Sequence, residues 1–127
     1  MTSKIVIVDD EIHIRSLIEQ SLEDLEDDYG IEIFTAEDGA EGLEIVTRER
    51  PSLVLLDVMM PKMNGYDVCE AIGRDPDLCN VFVILLTAKG QEADRERGLR
   101  SGAADYITKP FDPDELVERA KAILGLD

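Results

Sequence analysis

The chain has 127 residues, 44% of them hydrophobic, which suits one domain with a single core. Its 29 Asp and Glu against 13 Lys and Arg give a formal net charge of -16, which excludes the clustered basic surface that nucleic acids and anionic membranes require. Cys69 and Cys79 lie in no paired Cys/His motif, which excludes a zinc site and suits a reducing compartment. No run reaches the length of a signal peptide or membrane span, so a cytoplasmic location is expected.

Five short apolar runs alternate with helix-like segments. The first strand is predicted at 5–8. A helix follows, with Ile14, Leu17, Ile18, Leu22 and Leu25 as its apolar stripe. The run at 31–34 partly alternates and reads as a half-exposed edge strand. The runs at 53–56 and 81–86 are continuously apolar, as strands covered on both faces are. Segment 91–100 is highly charged with little stripe, a marginal helix held by its neighbours. Residues 106–108 form the fifth and weakest strand. The last helix carries Leu116, Val117, Ala120, Ile123 and Leu124, and opens on Asp112 as N-cap, Pro113 at the first position and Glu115 three past the cap.

This alternation predicts one α/β domain over residues 1–127. It is a doubly wound (βα)5 sheet of flavodoxin-like type, parallel, in the order 2-1-3-4-5, with helices on both faces. A closed barrel would need eight such units.

In such a sheet, sites form beyond the carboxyl ends of the strands where the order reverses. Asp9 and Asp10 end the first strand, Asp57 the third, Thr87 the fourth and Lys109 the fifth. Strands 1 and 3 are neighbours in that order, so three carboxylates converge. Two of them about 4 Å apart repel by roughly 4 kcal/mol at an effective dielectric of about 20. Raised pKa values or a bound cation relieve this, and oxygen-only ligands favour a hard ion such as magnesium.

The runs IVIVDDE, LVLLDVMMPKMNGYD, VILLTAKG and GAADYITKPFDPDEL, in that order, resemble the receiver domains of bacterial two-component response regulators over essentially the whole chain. The resemblance implies a phosphorelay switch rather than a classical enzyme, catalysing only its own phosphorylation and slow dephosphorylation. Asp57 matches the phosphoacceptor, which attacks phosphorus to give an acyl phosphate. Asp10 and Asp57 match the side-chain ligands of Mg2+ (Mn2+ being the substitute), Met59 the backbone carbonyl ligand, and Asp9 the carboxylate that holds metal-bound water. Lys109 matches the phosphate-pairing lysine, Thr87 the hydroxyl that moves to the phosphate, and Tyr106 the aromatic switch that turns inward with it. Pro110 matches a proline whose bond to the preceding lysine is usually cis. Gly65 fits the turn into the third helix, where an unhindered backbone is useful. Met59 and Lys89 occupy the positions that tune self-dephosphorylation.

The implied partners are a sensor histidine kinase or phosphotransfer protein. The implied output surface is segment 91–100 with the fifth strand and last helix. Arg95, Asp105, Glu115 and Arg119 match the charge pattern of a phosphorylation-dependent homodimer through that surface, whereas Ala93, Ala104 and Arg100 replace expected acids. His13, near the start of the first helix, reads as a surface residue.

Three rivals fit less well. A haloacid-dehalogenase-type phosphatase needs its nucleophile on strand one with a second acid two residues on. A flavodoxin needs a hydroxyl- and glycine-rich loop where Asp9, Asp10 and Glu11 stand. A degenerate receiver used only for docking has no need of Asp10, Asp57, Thr87 and Lys109 together.

Overall fold

The computed structural model describes residues 3–60, 63–88, 98 and 100–126. The strands are β1 (Lys4–Val8), β2 (Glu32–Ala36), β3 (Leu53–Asp57), β4 (Phe82–Ala88) and β5 (Asp105–Lys109). They form one parallel sheet in the order β2-β1-β3-β4-β5. The helices among the described residues are α1 (Ile12–Ser21), α2 (Glu23–Tyr29), α3 (Gly39–Glu49), α4 (Gly65–Arg74) and α5 (Pro113–Leu124), with a 3-10 turn at Pro76–Leu78.

Side chains alternate across a strand, so each apolar run feeds two cores. Ile5, Ile7, Leu53, Leu55, Ile84 and Leu86 join Ile18 and Leu22 of the first helical region and Leu116 and Ala120 of α5. Val6, Val8, Val54, Leu56, Val83 and Leu85 point the other way, onto Val46 of α3 and Val68, Cys69 and Ile72 of α4. Both faces are therefore covered, which explains why β1, β3 and β4 read as unbroken apolar runs. Burying each such Ile or Leu contributes about 1.5–3 kcal/mol.

All five strands run beyond the apolar pattern, β1 and β3 by one residue each, at Lys4 and Asp57. β2 spans 32–36 rather than 31–34, β4 continues through Thr87 and Ala88, and β5 spans 105–109. The added residues are held by backbone pairing: Ala36 lies opposite Val8, Thr87 opposite Thr108, and Ala88 opposite Lys109. Asp57 likewise pairs with Leu86. Asp57, Thr87 and Lys109 thus stand on hydrogen-bonded strand, whereas Asp9 and Asp10 lie just past the end of β1.

The first predicted helix is divided. Leu22 adopts φ −94 and ψ 1 between α1 and α2; Ile18, Leu22 and Leu25 are buried while Leu17 faces outward. Arg15, not Leu17, occupies the inner face at that level. At α5, Asp112 caps the helix and Pro113 takes its first position, but the cap oxygen accepts from the Asp114 N–H at 2.9 Å. Glu115 turns away and accepts from Arg119 Nη2 at 2.8 Å. Segment 91–100 lies largely outside the described residues.

Candidate phosphoacceptor site

The carboxyl edge of β1, β3 and β5 brings together Asp9, Asp10, Asp57 and Lys109. Oxygens from the three aspartates lie within 4.8 Å of one another. Asp9 is wholly buried, Asp57 is 4% exposed, and Asp10 faces solvent. Lys109 Nζ donates to Asp9 Oδ2 at 2.9 Å and stands 3.3 Å from Asp57 Oδ1. One ammonium therefore bridges two buried carboxylates.

Asp9 is engaged on every side. Its N–H donates to the Ala36 carbonyl at 3.2 Å, and its Oδ1 accepts from the Glu11 N–H at 2.9 Å. Its own carbonyl accepts from Arg15 Nη1 at 2.7 Å. Asp57 Oδ1 accepts from the Met59 N–H at 3.3 Å. Burial, and after it the Asp9 charge, pushes the Asp57 carboxyl up to about 7 against the opposing pull of Lys109. Burial lowers the Lys109 ammonium, but its hydrogen bond to Asp9 and the charges of Asp57 and Asp9 outweigh this and leave it above the ordinary lysine value.

The other expected site residues fall around this cluster. Thr87 follows Leu86, the partner of Asp57 in the sheet, and is 5% exposed. Its hydroxyl has no hydrogen-bond partner among the described residues, an arrangement that costs about 1–3 kcal/mol. Tyr106, opposite Leu85 in β5, is half-buried against the core that contains Tyr66 and Leu85. Met59 is 61% exposed. The Lys109–Pro110 peptide bond is cis. Gly65 opens α4 so close to β3 that a Cβ there would stand 2.5 Å from the Asp57 carbonyl oxygen and 2.8 Å from Val58 Cα. Lys89 lies outside the described residues, as do Ala93 and Arg95.

Arg119 donates through Nη1 to Asp105 and to the Tyr106 carbonyl at 3.2 Å, and through Nη2 to Glu115. Three members of the charge pattern expected for a dimer are thus paired within one chain. Cys69 is buried and Cys79 exposed, both as free thiols.

Two contributors escaped the sequence reading. Arg15 is only 9% exposed, and the signal was its spacing: residues 15, 18 and 22 share one helix face. Gly39 starts α3 where a Cβ would collide with the Met63 carbonyl oxygen, packing α3 directly on the loop that follows Asp57. Its signal was a glycine at the first helical position.

The donor set fits a hard cation. The acidic group consists of carboxylates alone, and magnesium binds through one or two carboxylates while keeping several waters.

The model of the response regulator receiver domain matches residues 5–121, and the chain belongs to that family, one of signalling proteins rather than classical enzymes. It is 48% identical over 95% of its length to a probable transcriptional regulator, ycf27, of Cyanophora paradoxa. It is 43% identical over 98% of its length to the alkaline phosphatase synthesis transcriptional regulatory protein PhoP of Bacillus subtilis. These matches cover 48% and 49% of the relatives, so the chain spans about half the length of the curated relatives it matches. Among solved structures, a response regulator of Chloroflexus aurantiacus described as putative superposes with a TM-score of 0.88 at 32% identity, covering 98% of this chain and 99% of that one. The chemotaxis response regulator CheY4 of Vibrio cholerae gives 0.85 at 28% identity, covering 97% and 99%. Among the described residues, no helix is long and apolar enough to cross a membrane.

Proposed function

We propose that the domain is a phosphorylation-activated switch in which Asp57 accepts a phosphoryl group from a sensor histidine kinase or phosphotransfer protein in the cytoplasm. The observation that carries this reading is the convergence of Asp9, Asp10 and Asp57 within 4.8 Å, with Lys109 Nζ 2.9 Å from Asp9 and 3.3 Å from Asp57. Asp10 and Asp57 would hold magnesium through their side chains, Met59 through its carbonyl, and Asp9 through water. The ion, when bound, supplies positive charge that favours ionised Asp57 and offsets charge on the phosphoryl oxygens.

The chain's own residues do the rest. Ionised Asp57 attacks phosphorus. A P–O bond forms as the donor's P–N bond breaks, and the imidazole leaves with its electron pair and takes up a proton. Lys109 meets the negative oxygens, which is also where its ammonium gains most by leaving Asp57. The Thr87 hydroxyl is buried and has no hydrogen-bond partner among the described residues, and a phosphoryl oxygen offers it an acceptor. Tyr106 packs on the same strand pair and follows Thr87 inward, changing the surface formed by segment 91–100, β5 and α5. Moving such a two-state equilibrium from 1:99 to 99:1 takes about 5.5 kcal/mol of differential interaction. The matched relatives are named transcriptional regulators, which supports an output in gene expression.

The test is labelling by acetyl phosphate with magnesium or with chelator. Wild type is expected to label only with the metal, and Asp57→Asn not at all. Undiminished labelling of Asp57→Asn, or labelling indifferent to chelator, overturns the assignment.

A further inference from the structure

Arg15 is a charged side chain on the buried face of an amphipathic helix, in line with Ile18 and Leu22. Burying a guanidinium is costly unless its donors are used. Here Nη1 donates to the Asp9 carbonyl at 2.7 Å, and Nη2 stands 3.8 Å from Glu37 just beyond β2. The Glu37 carboxylate is largely exposed, so that ion pair contributes little by itself. The fastening of the Asp9 carbonyl is the contact that matters.

That carbonyl belongs to the turn from which Asp9 and Asp10 present their carboxylates. The turn is otherwise held by the Asp9 N–H on Ala36 and by the Glu11 N–H on Asp9 Oδ1. Arg15 closes the remaining backbone freedom, since a peptide whose carbonyl is fixed cannot rotate and swing Asp10 away from Asp57. Resting on the magnesium-dependent reading of Asp57 given above, we infer that Arg15 is a positioning residue of the phosphoacceptor site: by pinning the Asp9 carbonyl it sets the geometry, and hence the affinity, of the divalent-ion site that it does not touch.

Two effects of Arg15 on magnesium oppose each other. Its charge disfavours a nearby cation, and its grip on the turn favours one. Arg15→Lys keeps the charge and loses the fork, because one ammonium cannot reach both the Asp9 carbonyl and Glu37 as two guanidinium nitrogens do. Residues that orient metal ligands from behind commonly change metal affinity 10–100-fold when replaced.

The experiment is a magnesium titration of the whole chain followed by the amide resonances of Asp10 and Met59, in wild type, Arg15→Lys and Glu37→Gln. The same proteins are then labelled with acetyl phosphate across a magnesium series, and melted in chelator. Arg15→Lys is expected to bind magnesium about tenfold more weakly, to shift the magnesium dependence of labelling by the same factor, and to reach the wild-type plateau at saturating metal. Glu37→Gln should bind within about twofold of wild type, as its exposed pair implies. A folded Arg15→Lys protein that binds magnesium as wild type does overturns the inference, as does a loss of plateau with unchanged affinity. Asp10→Asn is the control on the parent reading: if it too binds magnesium unchanged, the ion is not at this cluster, and both readings fall together.

Discussion

Lys109 Nζ lies 3.3 Å from Asp57 Oδ1 while donating to Asp9 Oδ2 at 2.9 Å. A single positive charge shared between two buried carboxylates leaves Asp57 incompletely compensated, and its carboxyl stands at about 7 against 3.8 for an unperturbed aspartate. The metal-free site therefore holds strain of an electrostatic kind, and that has a measurable consequence.

Between those two values the folded chain retains a proton that the unfolded chain has released. Its stability therefore falls as pH rises from about 4 to about 7, and the whole penalty is present above that window. Asp57→Asn removes the penalty. In chelator it is expected to be more stable than wild type by about 2–4 kcal/mol near pH 8 and to match it below about pH 4. Urea unfolding across that range measures the gap. A gap that does not change with pH would locate the repulsion in other groups.

A second expectation concerns the end of α3. Arg50 adopts φ 49 and ψ 61 immediately before Pro51, a left-handed conformation that strains any residue with a Cβ. Its contact with Asp77 is 3.9 Å long and joins two exposed groups, so it is worth little. Arg50→Gly should stabilise the domain by about 0.5–1 kcal/mol and raise its melting midpoint by about 2–5 °C. Calorimetry decides, and a lower midpoint would show that the Asp77 pair outweighs the backbone strain.

The lifetime of the phosphorylated state is the third. Hydrolysis of the acyl phosphate needs a water held in line with phosphorus, which a polar side chain near the site can orient. Met59, exposed beside Asp57, offers only a weak thioether acceptor, and Lys89 only donates. Self-dephosphorylation is therefore expected to take far longer than seconds, and Met59→Asn combined with Lys89→Glu to hasten it. Following phosphate loss in both proteins checks this. A double mutant no faster than wild type would show that these positions do not set the rate.

Much of this was legible in the sequence because strand periodicity and the carboxyl-edge rule act locally. Asp9, Asp10, Asp57 and Lys109 each end an apolar run, and the order 2-1-3-4-5 then puts them together. What was not legible depended on local contacts that residue types and spacing do not announce. Leu17 has the spacing of the apolar stripe, but the buried face runs through Arg15, Ile18 and Leu22 and leaves Leu17 outside. Arg15 escaped because its partner is a backbone carbonyl, which no residue type announces. Glu115 had the spacing of a capping box, but Arg119 one turn on competes for it and wins.

The central claim is that Asp57 itself becomes the acyl phosphate. Borohydride reduces an aspartyl phosphate to homoserine, marking the modified position covalently. After treatment with acetyl phosphate and magnesium, reduction and peptide mass spectrometry should find homoserine at residue 57 and unmodified aspartate at Asp9 and Asp10. Homoserine at either of those positions, or an unreduced Asp57 in protein that has taken up phosphate, would contradict the account.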